Sequence, residues 1–362
     1  MIPVARPVIG SAERRAVDRV LRSGGLAQGP EVARFEEEFS KELVEGAPVV
    51  AVNSGTSGQH LGLLATGVGP GDEVIVPSFT FAATANAVAL TGAVPVFCDI
   101  DPLSYTLDTD HLKSLIGAKT RGVMPVHLFG HPARMVEIQK ISQEHGLEIY
   151  EDAAQAHGAS VGGKKVGTFG DFAMFSLYPT KNMTSGEGGM VSCRSEDTAR
   201  SVRLLRNQGM ETQYHNEIVG YNNRMTDIHA AIGRVQLRNL SRWTETRIKN
   251  AQYLSAHIQG VPTPHVVADT VHVFHQYTIR VPHDRDGFSR ALKEEFGIGN
   301  GVYYPVPNHQ LPSLKKYAKA SDLPETVRAA KEVLSLPVHP SVKRRHLDRI
   351  VNAVNRLSKA GA

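Results

Sequence analysis

Three clusters in this 362-residue chain combine residue types that could do chemistry. The first is Asn53-Ser54-Gly55-Thr56-Ser57-Gly58-Gln59-His60-Leu61, a small-residue turn directly after the β-branched run Val49–Val52. Where such a turn opens a helix, unpaired N–H groups and the helix dipole attract a phosphate, and Thr56 and Ser57 add hydroxyl donors. The same residues cap helices everywhere, so a plain N-cap accounts for them as well. The second cluster is Glu151-Asp152-Ala153-Ala154-Gln155-Ala156-His157-Gly158, where acids and amides follow an apolar strand. Asp152 is suited to hold a protonated ring nitrogen, and equally to cap the next helix. The third runs from Asp171 to Asn182 and on through Ser185-Gly186-Glu187-Gly188-Gly189. A strand ends there, Pro179 breaks it, and Lys181 follows in a loop whose glycines permit close backbone approach. A lysine that forms an imine needs a lowered pKa, supplied by desolvation or nearby positive charge, whereas a loop lysine left in water is a solvated charge.

The elements that must position these clusters are legible as short β-branched runs alternating with helical stretches, the pattern of a mostly parallel sheet wrapped by helices. The expected strands are Val49–Val52, Glu73–Pro77, Val94–Asp99, Gly122–His127, Leu147–Glu151, Phe172–Ser176 and Gly189–Cys193, with a helix over Ala133–His145. All three clusters then fall where such strands end, which is where open α/β sheets place their ligands. A long helix is expected near Thr226–His257, and Pro262 and Pro264 break the pattern before a strand-like run at His275–Val281. An amphipathic stretch at Phe288–Phe296, a Pro-rich loop at Tyr303–Pro312 and a charged terminal helix from about Ser341 complete a smaller C-terminal unit.

Composition excludes several classes. Hydrophobic residues make up 41% and charged residues 21%, ordinary globular values, and no apolar run of about 18 residues is available to span a bilayer. The first twenty-five residues are too rich in arginine for a secretory signal, and the two cysteines, Cys98 and Cys193, sit in apolar stretches as buried thiols. A cytoplasmic protein without membrane or nucleic-acid partners is expected, since its 40 basic and 36 acidic residues are interspersed without a block. Gly158-x4-Gly163-Lys164 mimics a phosphate-binding P-loop, but Lys165 follows where a Mg²⁺-binding hydroxyl is required. No G-x-G-x-x-G follows the first strand, no G-x-S-x-G occurs, and the sixteen histidines show no zinc spacing, so no metal is expected.

In this order the three clusters resemble the fold-type I pyridoxal 5′-phosphate (PLP) enzymes, specifically the sugar aminotransferases of the DegT and StrS type. The resemblance covers essentially the whole chain, from Ile2-Pro3-Val4-Ala5-Arg6-Pro7 and Ser23-Gly24-Gly25, through Gly71-Asp72-Glu73-Val74-Ile75-Val76-Pro77-Ser78-Phe79-Thr80-Phe81, to Leu334-Ser335-Leu336-Pro337-Val338-His339-Pro340. Its most specific pieces are Glu151-Asp152-Ala153-Ala154-Gln155 and Phe175-Ser176…Lys181…Gly186-Glu187-Gly188-Gly189. It implies an α/β fold with a mostly parallel seven-stranded sheet in a PLP-binding domain over 1–245, including an N-terminal arm at 1–30, and a smaller α+β domain over 246–362.

Carried over by position, the resemblance implies that Lys181 forms the Schiff base with PLP, Asp152 pairs with the pyridinium, Gln155 bonds the ring hydroxyl and Phe81 stacks on the ring. Thr56, Ser57 and Ser176 would hold the phosphate, joined by Asn222 from a second subunit of a homodimer with shared sites. His309 lies on a loop that approaches the substrate in the family. The chain departs from the family at Asn223, where an aromatic is usual, and at Gly58-Gln59, where Ala-Leu is usual. The implied reaction moves an amino group from an amino acid, glutamate being the expected donor, to a keto sugar. Arg6-Pro7, Ser23-Gly24-Gly25-Leu26 and Gly29-Pro30 point to the branch that aminates the 4-keto group of nucleotide-linked 6-deoxysugars. The alternatives are a carbocyclic ketone as acceptor, a PLP-dependent sugar dehydratase, whose relatives carry His where Lys181 stands, and a PLP-binding regulator, which would usually append a DNA-binding module.

Overall fold

The computed structural model describes residues 1–318 and 322–360. Seven strands form the central sheet: β1 (Val49–Val52), β2 (Glu73–Pro77), β3 (Val94–Cys98), β4 (Thr120–Val123), β5 (Glu148–Asp152), β6 (Phe172–Ser176) and β7 (Gly189–Cys193). Their spatial order is β1-β7-β6-β5-β4-β2-β3. Only β7 runs against its neighbours, β1 and β6, and every other pairing is parallel. The strands are apolar along their length rather than alternating because helices cover both faces. Leu61, Phe97, Tyr150 and Phe172 pack on one side, and Phe35, Phe39, Phe175 and Met190 pack on the other.

The expected strand over Gly122–His127 is cut short at Val123. Pro125 has no N–H to continue the ladder. The chain nevertheless stays beside β5: the Asp152 N–H donates to Pro125 O at 2.9 Å and the His127 N–H donates to Asp152 O at 3.0 Å. The last residue of β5 is thereby gripped from its backbone on both sides.

Helix α3 (Gly55–Ala65) lies across β6 and β7. It sits unusually close because Gly55, Gly58 and Gly62 face the sheet, and a Cβ at Gly62 would meet the Phe172 ring at 2.5 Å. Helices α1 (Ser11–Ser23) and α2 (Pro30–Leu43) pack on the 31-residue α8 (Asp227–His257). Between α3 and α8 lie α4 (Ala83–Leu90), α5 (Thr109–Leu115), α6 (Met135–His145) and α7 (Glu196–Arg206). The Asp227 carboxylate accepts from the backbone of Gly29, Glu31 and Val32, so the first turn of α8 caps the start of α2.

The C-terminal unit pairs β8 (Tyr277–Arg280) with β9 (Val333–Leu336) antiparallel, among α9 (Arg285–Glu294), α10 (Pro324–Glu332) and α11 (Arg344–Ala360). Its core includes Ile279, Leu334, Leu336 and Ile350, and also Ala251 and Leu254 from the end of α8. Helix α8 runs unbroken through the expected division at 245/246. Ile2 also packs into this core, its N–H donating to Gly297 O at 2.8 Å. The P-loop mimic is a hairpin: Gly162 and Gly163 turn the chain between the two-residue strands Ser160–Val161 and Lys164–Lys165.

Candidate active site

A cavity of about 600 Å³ opens where β5, β6 and the turn before α3 end. Thr56, Phe81, Asp152, Gln155, Ser176 and Lys181 all line it. The three clusters are therefore brought together by the topology, at the strand ends where an α/β sheet presents ligands.

At one end is the N-terminus of α3. Ser54 is its N-cap, and its hydroxyl accepts from the Ser57 N–H at 3.2 Å and lies 2.9 Å from the Ser57 hydroxyl. The plain-cap account thus holds for Ser54, and Ser57 turns toward that cap instead of lining the cavity. Thr56 does line it, as does Ser176, whose Oγ accepts a 3.4 Å bond from the Tyr178 N–H. A Cβ at Gly55 would come within 3.1 Å of Ser176 Cβ and 3.0 Å of Met174 Sδ, so glycine is what lets the helix start approach the strand end. Helix N–H groups and two hydroxyls in one concavity suit a phosphate.

Asp152 is the last residue of β5 and is buried. Its Oδ2 accepts from Gln59 Nε2 at 2.5 Å and from Thr84 Oγ1 at 2.7 Å, and its Oδ1 accepts from the Ala154 N–H at 3.1 Å. That last bond is a local turn, but no helix follows it, so the carboxylate is not serving as a helix cap. Oδ1 keeps acceptor capacity for a donor in the cavity.

Lys181 stands on the loop between β6 and β7. The loop is fastened at its base by Leu177 N–H to Gly188 O at 2.9 Å, Ser185 N–H to Leu177 O at 3.0 Å and Thr184 Oγ1 to Leu177 O at 2.8 Å. Asn182 Nδ2 anchors it to Val273 O at 3.1 Å. Desolvation lowers the Lys181 pKa to about 8, against a smaller opposing pull from Asp152. This lysine is half-buried, not the solvated surface charge of the bland account. His157 and His275 are pushed down as well, first by burial and then by the positive charge of Lys181, so both imidazoles beside the lysine are neutral near pH 7.

Phe81 is 59% exposed and lines the cavity, its ring 5.9 Å from that of Tyr304. Gln155 is oriented by two bonds: its Oε1 accepts from the Phe129 N–H at 2.7 Å and its Nε2 donates to Tyr304 Oη at 3.1 Å. Asn222 lies outside the cavity, exposed. The neighbouring Asn223 laces its segment to the end of β1, its carbonyl accepting from the Asn53 N–H at 2.9 Å. His309 also lies outside the lining: its Nδ1 is 2.7 Å from Ser78 Oγ, and its N–H donates to the same oxygen at 3.2 Å. It fastens the Tyr303–Pro312 loop to the end of β2.

Sequence reasoning gave no role to Thr84, His275 or Tyr304, which line the cavity from distant parts of the chain. No local motif marks them. Gln59 did carry a signal, as a departure from the resembled family. The residues fit PLP: a helix start with hydroxyls for its phosphate, a buried carboxylate with a free acceptor for its ring nitrogen, an exposed aromatic face and a lysine of lowered pKa.

Comparison with known proteins agrees with this geometry. A "UDP-N-acetyl-3-dehydro-alpha-D-glucosamine 3-aminotransferase" of Acidithiobacillus ferrooxidans is 40% identical, covering 94% of this chain and 92% of its own length. A "dTDP-3-amino-3,4,6-trideoxy-alpha-D-glucose transaminase" of Streptomyces venezuelae is likewise 40% identical, over 94% of this chain and 90% of its own. The crystal structure of NtdA from Bacillus subtilis with bound cofactor PMP superposes with a TM-score of 0.91 at 30% identity, covering 96% of this chain and 82% of that one. Because the sequence match to the family runs over residues 7–355, nearly end to end, the chain belongs to the DegT/DnrJ/EryC1/StrS aminotransferase family.

Proposed function

We propose that this aminotransferase holds PLP through Lys181 Nζ and moves an amino group from an amino acid, with L-glutamate as donor, to the carbonyl of a nucleotide-linked keto sugar. The observation that carries the reading is the meeting, in one cavity, of a lysine whose pKa is lowered to about 8 with a buried carboxylate whose Oδ1 can still accept a bond. PLP, when bound, supplies the electron sink that lets a bond at the amino-bearing carbon ionise. The chain supplies the rest. Asp152 would keep a proton on the ring nitrogen, Phe81 would cover the ring, Gln155 would bond its hydroxyl, and Thr56 and Ser176 would hold the phosphate at the start of α3, joined by Ser57 on turning its hydroxyl from the Ser54 cap. Once the donor's amine has taken its place and freed it, Lys181 Nζ would take the proton from the donor carbon and return it on the other side of the exchange. A pKa near 8 suits a group that must be base and then acid close to neutral pH.

The reading includes a homodimer in which Asn222 reaches the phosphate of the other subunit. The segment leading to Asn222 supports this: Tyr214 is 87% and Val219 92% exposed, large apolar side chains that a second copy would cover. Among the described residues, no helix is long and apolar enough to cross a membrane.

For the acceptor, the N-terminal motif favours C4 of a 6-deoxyhexose. A second reading, amination at C3, is favoured by one observation: two of the relatives at 40% identity, the Acidithiobacillus and Streptomyces proteins, carry a 3-amino or 3-aminotransferase activity in their names. The test is a panel of nucleotide-linked 4-keto-6-deoxyhexose, nucleotide-linked 3-keto sugar and keto-inositol, each with PLP and L-glutamate. Turnover of the 4-keto sugar supports the first reading and turnover of the 3-keto sugar the second. Turnover of keto-inositol alone would show both to be wrong and make the acceptor a carbocycle.

A further inference from the structure

We propose that Gln59 is a positioning residue for Asp152, and through it for the PLP ring; this rests on the reading of the cavity as a PLP site. Gln59 is on the second turn of α3 and is 1% exposed. An ionised carboxylate only accepts hydrogen bonds, so the glutamine amide must present Nε2, not Oε1, to Asp152 Oδ2. It does so at 2.5 Å. That orientation strands Gln59 Oε1, which is buried without a hydrogen-bond partner. A leucine would fill similar space with no stranded acceptor, so the compensation for burying an amide here is its bond to Asp152.

The bond also divides the two oxygens of Asp152. Gln59 Nε2 and Thr84 Oγ1 together occupy Oδ2, whereas Oδ1 carries only the Ala154 N–H. The carboxylate is thus prevented from rotating, and the less occupied oxygen is the one left for the ring nitrogen.

Gly58 completes the device. A Cβ there would stand 3.0 Å from both Met174 Cγ and Val191 Cγ2 and 3.2 Å from Val52 Cγ2, so either those side chains or α3 would have to give by a few tenths of an ångström. Its absence lets the amide of Gln59 span the gap to β5. The Gly58-Gln59 departure is therefore a single feature, a helix seated close enough for its next residue to hold the carboxylate.

The experiment compares Gln59→Leu, Asp152→Asn and the double variant, measuring PLP affinity by titration and the absorption of the PLP-loaded protein at fixed pH. Loss of a charge-assisted bond predicts PLP binding about tenfold weaker and an altered PLP absorption in Gln59→Leu. Gln59→Leu should cost much less in the Asp152→Asn background, because the neutral amide that replaces the carboxylate removes the charge-assisted part of the bond. Gln59→Met serves the same purpose should the leucine variant not fold. Wild-type affinity with an unchanged spectrum in Gln59→Leu would overturn the proposal, and so would an undiminished loss in the Asp152→Asn background. If wild-type protein binds no PLP, the cofactor reading falls by itself. The contact is then judged in the PLP-free protein, where non-additive Tm shifts across the same variants support it and additive shifts overturn it.

Discussion

Glu151 and Asp152 are adjacent buried acids at the end of β5, pointing to opposite faces of one strand, and their surroundings differ in a way that separates structure from chemistry. Glu151 is saturated. Its oxygens accept from the backbone of Gly167, Phe169 and Gly170 at 2.7 to 2.9 Å and lie 3.1 Å from His127 Nε2. The Ala133 N–H occupies His127 Nδ1, so the ring proton sits on Nε2 and points at the carboxylate. Asp152 accepts three bonds, only one of them on Oδ1, and lines the cavity. The saturated acid ties the 167–170 loop to the sheet, and the unsaturated one retains room for a further donor. Burial does not distinguish them, because Glu151 is 1% and Asp152 5% exposed.

The largest effect expected from breaking this contrast is on stability. Glu151→Ala would leave three buried N–H groups and a histidine without their acceptor, a loss of about 3–5 kcal/mol read by denaturant unfolding. Asp152→Ala should instead spare most of the stability and cost about 10²–10³ in kcat, the scale for removing a preorganised electrostatic group. Equal stability losses in the two variants would remove the distinction. A smaller effect sharpens the chemistry assigned to the Asp152 side. Because the Lys181 pKa is lowered to about 8, its neutral amine grows with pH below that value. The rate of PLP capture by the PLP-free protein should rise about tenfold per pH unit from 6 to 7 and level off above 8, as stopped-flow absorbance would record. A lysine of ordinary pKa would keep climbing beyond pH 9. The smallest effect is expected at His309, whose partner is Ser78 and not the cavity. His309→Ala should cost about 1 kcal/mol of stability and leave kcat/KM nearly unchanged.

Most of the sheet was legible in the sequence because its strands are buried on both faces and read as unbroken apolar runs. The strand expected to reach His127 stops at Val123, since hydropathy does not register the donor that Pro125 lacks. The cavity was legible through Lys181, Asp152, Gln155 and the turn before α3, all at strand ends and all in dense local clusters. Thr84, His275 and Tyr304 were not, because long-range packing carries them there from three separate segments. The hydrogen bonds that Ser57 and His309 make to Ser54 and Ser78 were not legible either, since His309 and Ser78 meet only through the fold and a cap partner is not marked by residue type. Glu151 and Asp152 look alike in sequence, and only their hydrogen-bond partners tell them apart.

The most direct test of the central claim is the absorption spectrum of the purified protein with PLP, before and after L-glutamate, alongside Lys181→Ala. The account predicts a band near about 420 nm that glutamate moves to about 330 nm, and a changed band in the variant that glutamate no longer converts at the wild-type rate. A wild-type protein that shows no PLP band, or a Lys181→Ala variant with the same spectrum and the same conversion, would contradict it.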